Sequence, residues 1–176
     1  MATKGQSLDP PMGAARPITS FCRANLKIQG NLGLTDAELR THRRGLRFAY
    51  QMCSSITLIG TVLHSIPVLA VAATTAFFAM FPPNHPFDNV YNATLGRMLH
   101  RPTLPPRTAQ SRFACSLATP WLIAVIVLFA VGMPTAATVA AAVLLWLAGL
   151  VGFFGICIPS MVYNLAVFKH LNPKQP

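Results

Sequence analysis

Residues 113–168 read FACSLATPWLIAVIVLFAVGMPTAATVAAAVLLWLAGLVGFFGICIPSMVYNLAVF, and none of them is Asp, Glu, Lys or Arg. One straight helix of that length would measure about 84 Å, whereas the hydrocarbon core of a bilayer is only about 30 Å thick. The chain must therefore fold back, and the Gly132-Met133-Pro134-Thr135 stretch is a turn signal. The run predicts a transmembrane hairpin with helices over about 113–131 and 136–165.

A second run without these charged residues covers 48–87 and predicts another hairpin. Its apolar part, 48–81, is too long for one span without severe tilt and tight for two. Pro67 lacks a backbone donor and disfavours helix at the residue before it, so the break is predicted at His64-Ser65-Ile66-Pro67. The arms are then about 48–65 and 68–81. The short second arm leaves two alternatives, a re-entrant segment or local thinning of the bilayer.

The basic residues lie only outside these two runs, and their placement predicts the topology. The chain has 14 Lys and Arg against 4 Asp and Glu, and only 10% of its residues are charged, against roughly 25% in a soluble domain. Two hairpins put every basic group on one side of the membrane, which the positive-inside rule makes the matrix, stromal or cytoplasmic side. This segregation excludes the nucleic-acid binding that a net charge of +10 would otherwise suggest.

The predicted fold is an all-α membrane protein of two transmembrane helical hairpins, about four spans, with an extended N-terminal segment. Residues 1–34 are rich in Pro, Gly and small polar residues and lack apolar periodicity, so they are expected to need another subunit to hold them. Residues 35–81 are the basic start of a helix and the first hairpin, and residues 82–112 are a Pro-rich basic loop. Residues 113–168 are the second hairpin, and residues 169–176 are the C-terminal tail. A short helix is predicted inside the loop, over about 88–99.

Arginines cluster on both sides of the first hairpin. Thr35-Asp36-Ala37-Glu38 predicts a capping box, and the helix that it opens carries several arginines before the membrane begins at Phe48. Arginines of the loop add to the same basic surface. Such a surface either binds anionic lipid, for example cardiolipin, or simply sets topology. The candidate lipid-headgroup residues are Arg40, Arg43, Arg44, Arg47, Arg97, Arg101 and Arg112.

The cysteines and histidines predict no catalytic, cofactor or metal site. Four cysteines are present without a Cys-x-x-Cys pair, and buried free thiols mostly act as small apolar groups. His85, His100 and His170 could meet at the basic face, but their spacing is not that of a metal site. Asp88 is the only carboxylate beyond Glu38 and is expected in a loop, so a proton relay inside the spans is not predicted.

Small residues near the end of the second hairpin predict close helix packing. Gly149, Gly152 and Gly155 repeat every three residues, on roughly one face of a helix. The partner of this face is either another helix of this chain or a neighbouring subunit. Pro159 is expected to kink or end the last helix.

Several short motifs resemble a known family. They are Tyr91-Asn92, Arg97-Met98-Leu99, Arg101-Pro102, Arg112-Phe113-Ala114 and Cys157-Ile158-Pro159-Ser160. With two hydrophobic hairpins around a basic Pro-rich loop, they resemble DUF4395, an uncharacterised bacterial integral-membrane family, over about 45–168. Many members end in Cys-x-x-Cys, and this implies thiol or sulfur chemistry. Here Ser160 stands in place of the second Cys, so the resemblance carries over only Cys157, and it leaves 1–44 as an added extension.

The sequence favours a non-catalytic accessory subunit of a large energy-transducing membrane complex, either an ATP synthase or a respiratory-chain complex. The expected location is the mitochondrial inner membrane with both termini on the matrix side, and the alternative is a chloroplast or bacterial inner membrane. Other subunits and membrane lipid are the expected partners, with no nucleic acid. The alternative functions are a membrane thiol- or sulfur-handling protein that uses Cys157, and a small transporter or channel.

Overall fold

A computed structural model describes residues 19–81 and 83–171, and the secondary structure of this part of the chain is helical, which confirms the predicted all-α class. The helices are α1 (Ser20–Ile28), α2 (Asp36–Val62), α3 (Ile66–Phe78), α4 (Pro86–Tyr91), α5 (Ala109–Ala130), α6 (Pro134–Gly149) and α7 (Ile158–Leu171). Two π-helical turns, Asn92–Gly96 and Leu150–Phe154, follow α4 and α6. The capping box at the start of α2 is present as predicted, with Thr35 and Glu38 exchanging hydrogen bonds.

Four helices close a ring in the order α2, α3, α5 and α6, since each of them packs against the next and α6 packs back onto α2. The core between them is built mainly from small residues and a few branched ones, which lets the helices approach closely. Its fully buried members include Leu69, Ala72, Val125, Ala137 and Ala141.

Two helical segments are long and apolar enough to cross a membrane. They are Ala109–Ala130, of 22 residues, and Pro134–Phe154, of 21 residues. In each of them an 18-residue window has a mean hydropathy of 2.2. Large apolar side chains on them are exposed, as expected for a lipid-facing surface, and Trp146 is 65% exposed. α3 has 13 residues and is therefore about 20 Å long, which is shorter than a hydrocarbon core. The second hairpin is thus the better supported one, and four full spans stay a prediction.

The turns of both hairpins lie where the sequence predicts them. α2 ends at Val62 and α3 begins at Ile66, with Pro67 in its first turn, where its missing N–H costs nothing. α5 ends at Ala130, and α6 begins at Pro134 after Gly132, whose φ of +78° suits a residue without a side chain.

The predicted second arm, 136–165, is divided into two helices, and the break lies just before Pro159, where the sequence predicts a kink or an end. After α6 the chain makes the π turn, passes Gly155 at a φ of +79°, and starts α7 at Ile158 with Pro159 in its first turn. The physical reason is that Pro159 has no N–H and its ring would clash with the carbonyl one turn earlier, so the helix breaks before the proline.

Side chains of α2 and of the residue that follows α1 satisfy the carbonyl groups that this break leaves free. Arg47 Nη1 donates to the carbonyl of Phe153 at 2.9 Å, and Gln29 Nε2 donates to that of Gly155 at 2.7 Å. Gln51 Nε2 donates to the carbonyl of Gly152 at 3.2 Å. Hydrogen bonds of this kind are one of the ways in which a non-helical backbone is tolerated at membrane depth.

The expectation that 1–34 is extended is wrong for the part that the structure describes. Thr19 caps α1, which packs Cys22 and Leu26 against Leu39 and Leu46 of α2. Asn164 Nδ2 also donates to the carbonyl of Ile28 at 2.8 Å, so this segment is held by its own chain. Residues 1–18, for which a holding subunit is predicted, lie outside the described residues.

The Pro-rich segment is more helical than the sequence suggests. The predicted short helix is present but begins earlier, as α4 at Pro86, and continues into the π turn. α5 begins at Ala109 rather than near 113, because Thr108 accepts a hydrogen bond from Ser111 N and so caps the helix. At the other end, α7 continues to Leu171, past the predicted start of the tail at 169.

Candidate functional site

A basic cavity of about 370 Å³ lies between α2 and the segment that follows α4. It is lined by Thr41, Arg43, Arg44, Arg47, Phe48, Gln51, Tyr91, Leu95, Leu99 and Arg101. Four of the seven candidate lipid-headgroup arginines therefore share one cavity, although two distant parts of the sequence supply them. The other three, Arg40, Arg97 and Arg112, are not part of its lining in the described residues.

Close packing of α2 against α4 and the loop forms this cavity. Gly45 faces Tyr91 and Leu104 so closely that an added Cβ would lie 2.5 Å from Leu104 Cδ2. The rings of Phe48 and Tyr91 pack at 5.4 Å between centroids. A glycine at position 45 thus lets the loop approach α2, and this approach brings Arg101 to the arginines of the helix.

The electrostatics of the basic cavity are those of an anion site. None of the described residues that line it is acidic, so the four guanidinium groups face one another without a carboxylate. Two of the four have a protein partner: Arg47 Nη1 donates to the carbonyl of Phe153 at 2.9 Å, and Arg43 Nη1 donates to Cys22 Sγ at 4.0 Å. Burial lowers the pKa of Arg47, and the neighbouring charge of Arg43 lowers it further. An anion would relieve this repulsion.

A second, larger cavity of about 660 Å³ lies inside the helix ring, and its walls are mostly apolar. Three of the four cysteines line it, namely Cys53, Cys115 and Cys157, together with His85 and Tyr50. We call this space the thiol cavity. The sequence indicates only Cys157, through the family resemblance. It does not indicate that the three cysteines share a cavity, because they are far apart along the chain and form no common motif.

A hydrogen bond from the backbone fixes which ring nitrogen of His85 carries the proton at the thiol cavity. Its Nδ1 accepts a hydrogen bond from Phe87 N at 3.1 Å, so in the neutral ring the proton is on Nε2. Nε2 lies 3.8 Å from Cys53 Sγ, and His85 therefore faces this sulfur as a donor rather than as a base. Burial, with the charge of Arg107, lowers the pKa of His85 to about 4, so the ring is neutral at physiological pH.

Cys157 lies directly before α7, at the break in the second hairpin. Its carbonyl accepts the hydrogen bond of Met161 N, and its Sγ accepts one from Ser160 Oγ at 3.0 Å. The thiol is 1% exposed. Ser160 thus occupies the place, one helical turn on, where a Cys-x-x-Cys pair would have its second sulfur.

A buried ion pair joins α4 to the end of the Pro-rich loop beside the thiol cavity. Arg107 donates from Nε and Nη2 to the two carboxylate oxygens of Asp88, at 2.5 and 2.6 Å. Its Nη1 also donates to the carbonyl of Leu46, and its guanidinium lies 5.4 Å from the centre of the Tyr50 ring. Burial alone would lower the pKa of Arg107, but the carboxylate of Asp88 outweighs it and keeps the pKa above its usual value.

His85 and His100, two of the three histidines considered for a metal site, lie in different surroundings. His85 is buried against Cys53, whereas His100 is exposed at the end of the segment after α4. The side chain of His170 lies outside the described ones. No group of three His, Cys, Asp or Glu residues in the described part of the chain is placed to hold a metal ion.

The three glycines near the end of the second hairpin have different surroundings. An added Cβ on Gly152 would lie 3.4 Å from Gln51 Cγ, so Gly152 packs against α2 of the same chain. Gly155 lies outside the helices, and its Cβ would meet Arg47 Nη2 at 2.5 Å. An added Cβ on Gly149 would meet no described atom within 4 Å beyond its own helix backbone and chain neighbours. The packing seen for Gly152 is internal rather than with a neighbour.

Comparison with known proteins gives one family. The sequence profile described as a domain of unknown function, DUF4395, matches residues 42–167. No curated protein and no solved structure matches the chain significantly. The match includes the apolar helices, the ion pair, the thiol cavity and the basic cavity except Thr41, and it leaves α1 outside. Since the profile matches well over half of the 176 residues, this chain belongs to the DUF4395 family.

Proposed function

We propose that this chain is a non-catalytic structural membrane protein that holds an anionic lipid headgroup in the basic cavity. The observation that carries the proposal is the gathering of Arg43, Arg44, Arg47 and Arg101 around one cavity that no carboxylate of the described residues lines. Guanidinium groups form bidentate, charge-assisted hydrogen bonds with phosphate. Phe48 marks the start of the apolar part of α2, so the cavity lies at the level where headgroups meet the hydrocarbon core.

The finer form of this proposal is an accessory subunit of an energy-transducing complex, an ATP synthase or a respiratory-chain complex, in the mitochondrial inner membrane. Its support is the one-sided placement of the basic residues, which favours the matrix side for both termini, and the anionic-lipid chemistry of the cavity. Gentle detergent extraction, native-gel separation and mass spectrometry test it. Migration of the chain with a megadalton complex is expected, and migration alone at low mass would contradict it.

A thiol-handling function is the second candidate, and the thiol cavity favours it. The position of Cys157 before α7 and the hydrogen bond from Ser160 both stabilise a thiolate, although burial opposes its formation. The reaction class would be thiol–disulfide exchange. The Cys157 thiolate attacks a disulfide of an apolar molecule or partner, a new S–S bond forms, and the other sulfur leaves as a thiolate.

If the second candidate is right, Cys157→Ser will slow the reaction of the protein with 4,4′-dithiodipyridine by about tenfold. The release of thiopyridone from full-length protein in lipid nanodiscs measures this rate. Cys22→Ser is the matched control, because Cys22 is also buried but lies outside the lining of the thiol cavity. Equal rates for the Cys157→Ser and Cys22→Ser proteins would count against the thiol function and would leave the lipid function untouched.

A further inference from the structure

The positive charge of the basic cavity has no counter-charge in the described part of the chain. Only three carboxylates are described, and each has another partner. Asp36 pairs with Arg23, Glu38 bonds to Thr35 in the capping box, and Asp88 is buried against Arg107. The four guanidiniums of the cavity therefore need a ligand or solvent ions to balance them.

The amount of charge indicates the kind of headgroup. A single phosphodiester carries one negative charge and would leave three of the four positive charges uncompensated. We infer that the basic cavity selects a lipid whose headgroup carries two phosphates, as in cardiolipin, and this inference rests on the proposed lipid-binding function. Arg47 and Arg43 each use one nitrogen on a protein partner, the Phe153 carbonyl and the Cys22 sulfur. Arg44 and Arg101 are exposed and able to form forked contacts with two phosphates.

The rest of the lining suits the part of a lipid next to its phosphates. Phe48, Tyr91, Leu95 and Leu99 supply an apolar rim, and Leu99 is 56% exposed. Acyl chains leaving the cavity would pass over this rim toward the apolar half of α2. The volume of about 370 Å³ is within the range of small-molecule sites, which is roughly 300–1,000 Å³.

Native mass spectrometry of the full-length protein in detergent tests the inference with three probes. They are cardiolipin, phosphatidylglycerol with its single phosphate, and glycerol 1,3-bisphosphate as a soluble headgroup. We expect cardiolipin to bind at least about tenfold more tightly than either of the other two. Arg101→Gln and Arg44→Gln are each expected to weaken cardiolipin binding by about tenfold.

Arg97→Gln is the matched control, because Arg97 is also exposed and lies four residues before Arg101. The substitution removes the same charge as Arg101→Gln does, but at a position outside the lining of the cavity. It is expected to change cardiolipin binding less than about twofold. If Arg97→Gln weakens binding as much as Arg101→Gln does, the attraction comes from diffuse surface charge and the cavity is not the site.

The three probes separate the possible failures. Equal binding of cardiolipin and phosphatidylglycerol would overturn the two-phosphate inference and leave the proposed lipid function standing. Failure of both lipids to bind would overturn the proposed function as well. Binding of glycerol 1,3-bisphosphate as tight as that of cardiolipin would show a site for soluble phosphates instead of a lipid. Because Arg44 and Arg101 are exposed, unchanged melting of both variants is the expected check on folding.

Discussion

Asp88→Asn is expected to lower the free energy of unfolding by about 3–5 kcal/mol, because it leaves the Arg107 guanidinium buried without its counter-charge. Asp88 is fully buried, and the side chain of Arg107 is only 6% exposed, so water cannot replace the carboxylate. Solvation of the lone cation would require the loop to separate from α2 and α5. Thermal unfolding of the detergent-solubilised protein, followed by intrinsic fluorescence, measures the loss as a melting temperature lower by about 10 °C or more.

The exposed ion pair between Arg23 and Asp36 is the control, since its side chains are 45% and 43% exposed. Arg23→Gln is expected to cost less than about 1 kcal/mol. The double variant Asp88→Leu/Arg107→Met replaces both charges by apolar groups of similar size and is expected to recover most of the lost stability. If the melting temperature of Asp88→Asn lies within about 1 °C of that of the unchanged protein, the ion pair does not stabilise the fold.

The sequence predicts the hairpins and the positions of their turns, because these depend on the segregation of charge and on proline. Two long runs without Asp, Glu, Lys or Arg predict hairpins, and Pro67 and Pro134 mark where their second arms begin. These signals are local and follow directly from the lack of a backbone donor in proline. Pro159 carries the same signal, but a kink and a full break are alike in sequence. Their difference depends on Gln29, Arg47 and Gln51, which satisfy the freed carbonyls from far along the chain.

The sites depend on contacts that no local pattern contains. Cys53 and Cys115 lie in no motif, and only the closing of the helix ring brings them to the cavity that Cys157 lines. The sequence predicts the part of the basic cavity that the arginines of α2 supply. It does not predict that Arg101 rather than Arg97 lines the cavity, because this depends on how the loop approaches Gly45. The ion pair of Asp88 with Arg107 is not predicted, because the two residues lie 19 positions apart with several prolines between them.

His85 is expected to make the fold sensitive to mild acid. Its pKa is lowered to about 4 in the folded protein by burial and by Arg107, whereas an unfolded histidine has a pKa of about 6.5. Below about pH 6.5 the unfolded chain therefore binds a proton that the folded protein resists. The stability contributed by neutral His85 is complete above that pH, and it is lost progressively as the pH falls toward 4. By pH 4.5 the loss amounts to about 2–3 kcal/mol.

His85→Asn isolates this effect, because the amide oxygen of Asn can accept the Phe87 N–H in place of Nδ1 and the side chain does not titrate. The groups that face His85, namely Arg107, Asp88 and Cys53, are the same in both proteins. Between pH 7 and 4.5 we expect the unchanged protein to lose about 2–3 kcal/mol more than His85→Asn does, measured by chemical unfolding in detergent at each pH. Parallel losses in the two proteins would mean that the ring of His85 takes up its proton as easily folded as unfolded.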